Sequence, residues 1–228
     1  MTTLHAFGCS YTWGASLKDT IHSNAQHSQY AWPTLLADKL QIPYYNLGKP
    51  GSSRNRVFYY LLAQLELIKP GDIVCIQWPY HERQMQILPN NKILDLYPGV
   101  PPRLPKPQLL NFKKSLQGRI SQIYYKHFWT KENSMWQSTI TVAAAIGLLE
   151  RKGVRQYHQF TEQREQLKNP VLDWVKVPNC VSRLGDVVWH YPKAHDKLHP
   201  GPEAHSALAD LWYNRIKLDD LQGSQQDL

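Results

Sequence analysis

The stretch LHAFGCSYT, residues 4–12, is the strongest indication of the fold, because in it a short apolar segment runs directly into small and polar residues. Such a segment is typical of a buried strand that ends in a turn. Two further strands are predicted, over Tyr44–Leu47 and over Ile73–Ile76. The latter is apolar on both faces, which is expected in a parallel sheet that helices cover on both sides.

Apolar residues at helical spacing separate these strands. The predicted helices are Trp32–Leu40, Arg56–Lys69 and Ser134–Lys152. Later strand candidates are Val154–Phe160, Trp174–Val177 and Val187–Trp189. This alternation predicts an α/β fold, in which a short parallel sheet of about five strands forms the middle layer of a three-layer α/β/α sandwich.

The 228 residues fit a single domain that spans the whole chain. One stretch departs from the alternation, from about Met85 to Thr130, and six prolines lie in its first part. Because this stretch follows the third strand at the edge where parallel strands end, we predict that it is an insertion or lid over that edge.

The composition indicates which binding partners and which cellular compartment to expect. The formal charge is +8, but Lys and Arg are spread along the chain without a dense basic run. We therefore expect no specific nucleic-acid partner, while the charge favours the approach of anionic substrates. No apolar stretch reaches the roughly 18 residues of a membrane span, and no secretory signal is visible, so a cytoplasmic protein is expected. The cysteines at 9, 75 and 180 are too dispersed for a disulfide framework.

Residues that can take part in catalysis or binding follow the predicted strands. In a parallel α/β sheet such residues meet at the carboxyl ends of the strands. Three segments qualify, Gly8–Thr12, Asn46–Ser53 and Gln77–Arg83, of which the last is called the third segment below. A fourth is Asp196–Gly201, with the sequence DKLHPG, called the C-terminal segment below.

A serine hydroxyl becomes a strong nucleophile only when a neighbouring imidazole takes its proton. His199 is the candidate base for Ser10. Asp196, three residues earlier, can reach the other ring nitrogen of His199 and fix the tautomer.

These segments resemble those of the SGNH, or GDSL-like, hydrolases, which place a serine directly after strand one and Asp-x-x-His-Pro-Gly near the C-terminus. The resemblance extends from Leu4 to about Trp212, apart from the Pro-rich insertion. It implies that Ser10 is the nucleophile of a catalytic triad with Asp196 and His199. It also implies an oxyanion hole formed by the backbone N–H groups of Ser10 and Gly51.

The sequence departs from this family in two places. Gly8-Cys9-Ser10 stands where the family usually has Gly-Asp-Ser. The third segment also lacks the asparagine that the family contributes to the oxyanion hole. Counting without gaps puts Tyr80 at that position, and Gln77, His81 and Arg83 are the other possible donors.

Other interpretations of these residues are weaker. Cys9 could itself react, but a residue that ends a buried strand usually points into the core. An α/β-hydrolase is disfavoured because Ser10 is not in a Gly-x-Ser-x-Gly elbow and because Asp196 and His199 are nearly adjacent. Beside the insertion, four aromatic residues are candidates for a substrate wall: Tyr124, Tyr125, Phe128 and Trp129.

We expect a serine hydrolase that cleaves small-molecule esters through an acyl-Ser10 intermediate, which is resolved by water that His199 activates. Carbohydrate O-acetyl esters are the first expectation, ahead of lipid acyl esters, thioesters and other small esters. No cofactor or metal is implied. The alternative is a binding or structural module of SGNH fold that has lost turnover, which the missing asparagine would explain.

Overall fold

A computed structural model of the chain describes residues 1–21, 25–89, 91–98, 115–161, 175–181 and 184–226. The strands in these ranges are β1 (Leu4–Phe7), β2 (Tyr44–Asn46), β3 (Ile73–Trp78), β4 (Gln84–Ile87), β5 (Ile93–Leu96) and β6 (Arg155–Phe160). The helices are α1 (Ser10–Trp13), α2 (Trp32–Leu40), α3 (Arg54–Gln64), α4 (Leu116–His127), α5 (Lys131–Arg151), α6 (Leu184–Val188) and α7 (Pro202–Gln226).

The centre of the molecule is a four-stranded parallel sheet in the order β2-β1-β3-β6. Leu4 of β1 is in register with Tyr44 on one side and with Ile73 on the other. At the other end of β3, Trp78 is in register with Phe160 of β6. The carboxyl ends of the strands therefore share one edge of the sheet, and the segments that follow β1, β2 and β3 begin there.

Helices cover both faces of this sheet. Along β1, Leu4 and Ala6 point to one face, where they pack with α2, α6 and α7, and where Trp32 and Trp212 stack with ring centroids 5.1 Å apart. Phe7 points to the other face and packs with α3 and α5. The alternation of side chains along each strand thus supplies two apolar layers. The α/β/α sandwich predicted from the sequence is confirmed.

The strand count and one late element differ from the prediction. Within the described ranges the parallel sheet has four strands, because Cys180 makes only an isolated bridge with His158. Val187–Trp189 is not a strand, since α6 covers residues 184–188. Leu184 and Val188 are both buried against α7 at the i, i+4 spacing of a helix, which a three-residue apolar run does not reveal. Of the predicted strand Trp174–Val177, residues 175–177 are not in a strand, and Trp174 lies outside the described residues.

The predicted insertion contains regular structure at both of its ends. At its start, β4 and β5 form an antiparallel hairpin. At its other end, α4 is fastened to that hairpin because the Tyr125 hydroxyl donates to the Leu96 carbonyl at 3.1 Å. The same hydroxyl contacts the Glu82 carbonyl at 2.5 Å, in the third segment. The insertion is therefore bound to the end of β3. No helix of the described part of the chain is long and apolar enough to cross a membrane.

Candidate active site

The C-terminal segment forms a compact turn around the Asp196 carboxylate. Its Oδ2 atom lies 2.5 Å from His199 Nδ1. Its Oδ1 atom accepts the backbone N–H groups of Leu198 and His199, both at 3.0 Å. Gly201 closes the turn, since its N–H donates to the Pro192 carbonyl at 3.1 Å and a Cβ there would lie 2.5 Å from the same oxygen. The predicted Asp–His pair is thus formed by residues of a single turn.

These contacts determine the charge of Asp196 and the tautomer of His199. Burial disfavours the carboxylate, but the hydrogen bonds from the His199 and Leu198 backbone and from the His199 ring outweigh it and lower the pKa of Asp196 to about 2. An ionised carboxylate only accepts hydrogen bonds, so the ring proton is on Nδ1. His199 Nε2 is then left with a lone pair, as a general base requires.

The same turn contacts the segment that carries Ser10. Ser16 Oγ donates to Asp196 Oδ2 at 3.0 Å, and the His195 N–H donates to the Ser16 carbonyl at 3.3 Å. The Tyr11 ring meets the His199 ring edge-on, with centroids 5.5 Å apart. Ser16 was not predicted from the sequence, since it follows α1 and has no motif of its own. The structure therefore brings the predicted base and the residues next to Ser10 into one cluster.

Ser10 is the first residue of α1, directly after β1, and its side chain is buried. No hydrogen bond joins Ser10 to His199 within the described part of the chain. Catalytic hydrogen bonds often form only in the substrate complex. Proton transfer between these two side chains therefore stays a prediction. Cys9, the neighbour of Ser10, is a buried free thiol.

A buried network holds α1 against the sheet. The Thr12 hydroxyl donates to Gln77 Oε1 at 3.0 Å, and Gln77 Nε2 donates to Gln159 Oε1 at 2.8 Å. The amide of Asn46 donates to the Thr12 carbonyl at 2.8 Å. A Cβ at Gly8 would overlap the Thr12 hydroxyl, so a glycine is required there. Gln77, one of the possible oxyanion donors, thus uses its amide to position α1.

The two backbone donors predicted for the oxyanion hole are available. Neither the N–H of Ser10 nor that of Gly51 donates a hydrogen bond within the described residues. Gly51 has φ +80°, in the left-handed region that favours glycine. A Cβ at this position would also overlap the hydroxyl of Tyr97. Backbone conformation and close packing both require the glycine that the resemblance indicated.

Tyr97 belongs to the site and was missed in the sequence. It follows β5, so its position next to Gly51 depends on the hairpin, for which the Pro-rich stretch gave no clear signal. Burial, together with the nearby Asp95 carboxylate, raises the pKa of Tyr97 to about 12, while Arg83 and Arg56 oppose the shift. The hydroxyl of Tyr97 therefore keeps its proton at neutral pH.

The third segment places Tyr80 in the site and His81 away from it. Tyr80 is hydrogen-bonded to Tyr11, which in turn contacts His199. The Arg83 guanidinium lies 5.5 Å from the centroid of the Tyr80 ring. His81 is buried, and its carbonyl accepts the Ser134 hydroxyl of α5 at 2.5 Å. Of the four possible substitutes for the missing asparagine, Tyr80 and Arg83 lie next to Tyr11.

The aromatic cluster proposed as a substrate wall packs mainly on itself. Tyr125 contacts Tyr124 and Trp129, with centroids 5.2 and 5.9 Å apart. Its hydroxyl is engaged with backbone carbonyls, as described above, and Phe128 is exposed. The observed contacts of Tyr125 thus fasten α4 to the hairpin, and a wall formed by these residues stays a prediction.

Solved structures of ester hydrolases share this fold. A G-D-S-L family protein from Desulfitobacterium hafniense DCB-2 is 12% identical, with a TM-score of 0.52 over 94% of this chain and 99% of that chain. The psychrotrophic esterase EstA from Pseudoalteromonas sp. is 13% identical, with a TM-score of 0.54 over 95% and 97% of the two chains. A carbohydrate acetylesterase family member from Sinorhizobium meliloti is also 13% identical, with a TM-score of 0.55 over 96% and 98%.

Neither a protein-family model nor a curated protein sequence matches the chain. At 12–13% identity, the structural likeness establishes the fold. The chain has the fold of the SGNH, or GDSL-type, hydrolases, as the motifs around Ser10 and His199 predicted.

Proposed function

We propose that the protein is a serine hydrolase that cleaves esters through an acyl-Ser10 intermediate. One observation carries this proposal: the Asp196–His199 pair is formed and is tied by Ser16 to the segment that begins with Ser10. The side chains of the pair are partly exposed, 28% for Asp196 and 23% for His199. A partly exposed imidazole with a free Nε2 can accept a proton from a hydroxyl that approaches it.

In the proposed reaction, His199 Nε2 takes the proton of Ser10 as Oγ attacks the ester carbonyl. The carbonyl oxygen becomes an oxyanion, which the N–H groups of Ser10 and Gly51 stabilise at roughly 3 kcal/mol each. The tetrahedral intermediate collapses when His199 returns the proton to the leaving alcohol. Water, deprotonated by His199, then attacks the acyl-Ser10 ester, the bond between Oγ and the acyl carbon breaks, and His199 returns the proton to Ser10 Oγ as the acid is released.

Tyr80 is the proposed third donor to the oxyanion. Its hydroxyl lies beside Tyr11, and a phenol can donate one hydrogen bond as the asparagine amide of the family would. Donors of this kind contribute most in a partly desolvated site such as the one that the tyrosines form here. This role accounts for the absence of asparagine in the third segment without loss of the reaction.

A small acyl group is the proposed substrate feature. The Tyr97 hydroxyl lies directly against Gly51 and narrows the space beside the proposed oxyanion donor. An acetyl group needs less room beside this hydroxyl than a longer acyl chain, and a carbohydrate acetylesterase family member is among the proteins of similar fold. We therefore propose an O-acetyl ester, with a carbohydrate as the first choice for the alcohol part.

The second candidate is a binding or structural module without turnover. It is favoured by the missing asparagine and by the lack of a hydrogen bond between Ser10 and His199 in the described residues. Hydrolysis of 4-nitrophenyl acetate separates the two candidates. The hydrolase proposal predicts turnover by the wild type that Ser10→Ala abolishes, whereas the module predicts equal background rates. Ser206→Ala, an exposed serine on α7, is the matched control.

A further inference from the structure

Among the described residues, Arg83 is a cation without an ion-pair partner beside the proposed site. Its side chain is half-buried, and its Nη1 atom is buried with no hydrogen-bond partner among the described residues. Its backbone N–H donates to the Tyr80 carbonyl at 3.3 Å, so the segment turns back and holds the guanidinium near the Tyr80 ring. A buried guanidinium nitrogen without an acceptor is destabilising, and natural proteins keep few of them.

The Asp95 carboxylate does not neutralise this charge. Asp95, on β5, is within electrostatic range of Arg83 but forms its ion pair with Arg56. Within the described ranges, no carboxylate lies close enough to Arg83 for an ion pair. The charge of Arg83 also opposes the rise in the pKa of Tyr11 and Tyr97, but both phenols stay protonated and carry no negative charge. The planar donor fork of an arginine is suited to a carboxylate or phosphate, and no described residue supplies such a group to Arg83.

Three contacts place Arg83 at the site rather than on a remote surface. The Tyr80 ring that it faces is hydrogen-bonded to Tyr11, and Tyr11 meets His199 edge-on. Burial raises the pKa of Tyr11, and the Arg83 charge opposes that shift. The charge of Arg83 also opposes the rise in the pKa of Tyr97, which lies against Gly51. The guanidinium therefore lies near both the proposed base and the proposed oxyanion hole.

We propose that Arg83 binds an anionic group, a carboxylate or a phosphate, that the ester substrate carries in addition to the bond that is cleaved. This inference rests on the proposed hydrolase function and narrows its substrate class to acidic esters. The formal charge of +8 on the chain adds a general attraction for such substrates. Arg83 adds a specific contact at the site itself.

The first experiment compares neutral and anionic esters of matched size. One pair has the charge on the alcohol side, 4-acetoxybenzoate and its methyl ester. The other has it on the acyl side, mono-4-nitrophenyl adipate and its methyl ester. We expect the wild type to prefer the anionic member of at least one pair by about 10- to 100-fold in kcat/KM, as one charge-assisted contact allows. Arg83→Gln removes this preference, so that the variant cleaves both members of that pair with equal kcat/KM.

Two variants serve as controls. Arg151→Gln removes the same charge from an exposed position at the end of α5, away from the edge where the proposed site lies, and keeps the preference. Arg83→Lys retains the charge without the fork and keeps part of the preference, which tests the contact in case Arg83→Gln does not fold. Equal rates for both members of both pairs in the wild type overturn the proposal. A preference that survives in folded Arg83→Gln overturns it as well.

A binding experiment separates this proposal from the hydrolase proposal. The probes resist ester cleavage: 4-acetamidobenzoate, 4-acetamidophenyl phosphate and the neutral 4-acetamidobenzamide. Calorimetric titration of the wild type is expected to show tighter binding of one anionic probe, which also distinguishes carboxylate from phosphate, and Arg83→Gln loses that difference. If no ester is cleaved but the anionic probe still binds through Arg83, the hydrolase proposal fails and this one survives. Equal affinity for all three probes rejects it.

Discussion

The C-terminal segment (Asp196–Gly201) and the third segment (Gln77–Arg83) both reach the proposed site, but they are built in opposite ways. In the C-terminal segment, Asp196 is satisfied mainly by its own neighbours, two to three residues along the chain. In the third segment the contacts are distant: Pro79 accepts from Arg54 at 2.9 Å, and Tyr80 meets Tyr11. The C-terminal segment is a local motif, whereas the contacts of the third segment form only when distant parts of the chain come together.

This difference matches the roles proposed for the two segments. A general base needs a fixed tautomer and orientation, which one turn provides regardless of what surrounds it. The third segment instead contributes aromatic and cationic groups that can change with the substrate. We infer that the C-terminal segment supplies the general base, and that the third segment supplies an oxyanion donor, Tyr80, and determines through Arg83 which ester is bound.

The largest effects are expected for the residues of the reaction itself. Ser10→Ala removes the covalent route and His199→Ala leaves the hydroxyl protonated, so each lowers kcat by about 10⁴-fold or more. Tyr80→Phe removes one oxyanion donor and costs about 10²-fold. Steady-state rates on 4-nitrophenyl acetate measure all three. A loss for Tyr80→Phe that equals the loss for His199→Ala contradicts the separation of roles.

The loss expected for Asp196→Asn is smaller than for Ser10→Ala or His199→Ala, about 10²- to 10⁴-fold, because the tautomer is no longer fixed while Ser10 and His199 remain. The pH profile adds a second test. With the pKa of Asp196 at about 2, its carboxylate stays ionised above pH 4 and adds no protonation step in that range. The logarithm of kcat/KM is therefore expected to fall no more steeply than one per pH unit above pH 4. A slope of two above pH 4 shows that a second group is essential.

Gly51 and Tyr97 test the packing between the insertion and the oxyanion hole. Gly51→Ala is expected to lower kcat by about 10- to 100-fold, since it strains the backbone at φ +80° and pushes against the Tyr97 hydroxyl. Tyr97→Phe removes the overlapping hydroxyl, so the double variant recovers part of the loss. Tyr97→Ala shifts preference from 4-nitrophenyl acetate towards the butyrate. Additive effects and an unchanged chain-length profile count against the contact.

The smallest effect concerns stability, through one buried histidine behind each segment. His205 accepts the Trp32 N–H at 3.1 Å behind the C-terminal segment, and His158 accepts Trp78 Nε1 at 3.0 Å behind the third. Burial lowers the pKa of each to about 3, below its ordinary 6.5. The contribution of each histidine to the free energy of unfolding is therefore complete above pH 6.5. As the pH falls from 6.5 towards 3, each histidine lowers that free energy by about 1.4 kcal/mol per pH unit.

Urea unfolding at pH 7.5 and pH 5.5 measures this effect. His205→Asn, in which an amide oxygen can accept from Trp32 in place of Nδ1, is expected to reduce the difference between the two pH values. The same difference in the variant and the wild type assigns the acid sensitivity to other groups.

The sequence predicts what depends on local pattern. Trp32–Leu40 was predicted as a helix and is found with the same bounds, because its apolar spacing is regular. The Asp196–His199 pair was predicted as well, since three residues span one turn. Ser16 and Tyr97 could not be found in this way, because each reaches the site only through contacts with residues far along the chain. Val187–Trp189 was assigned wrongly because a short apolar run fits both a strand and a helix.

Labelling with a fluorophosphonate probe is the most direct test of the central claim, that Ser10 is a nucleophile activated by His199. The probe reacts with a serine hydroxyl only when a base withdraws its proton. We predict that the folded wild type and Ser206→Ala are labelled on the peptide that contains Ser10, and that Ser10→Ala and His199→Ala are not. A folded wild type that stays unlabelled, or a label that persists in Ser10→Ala, contradicts the account.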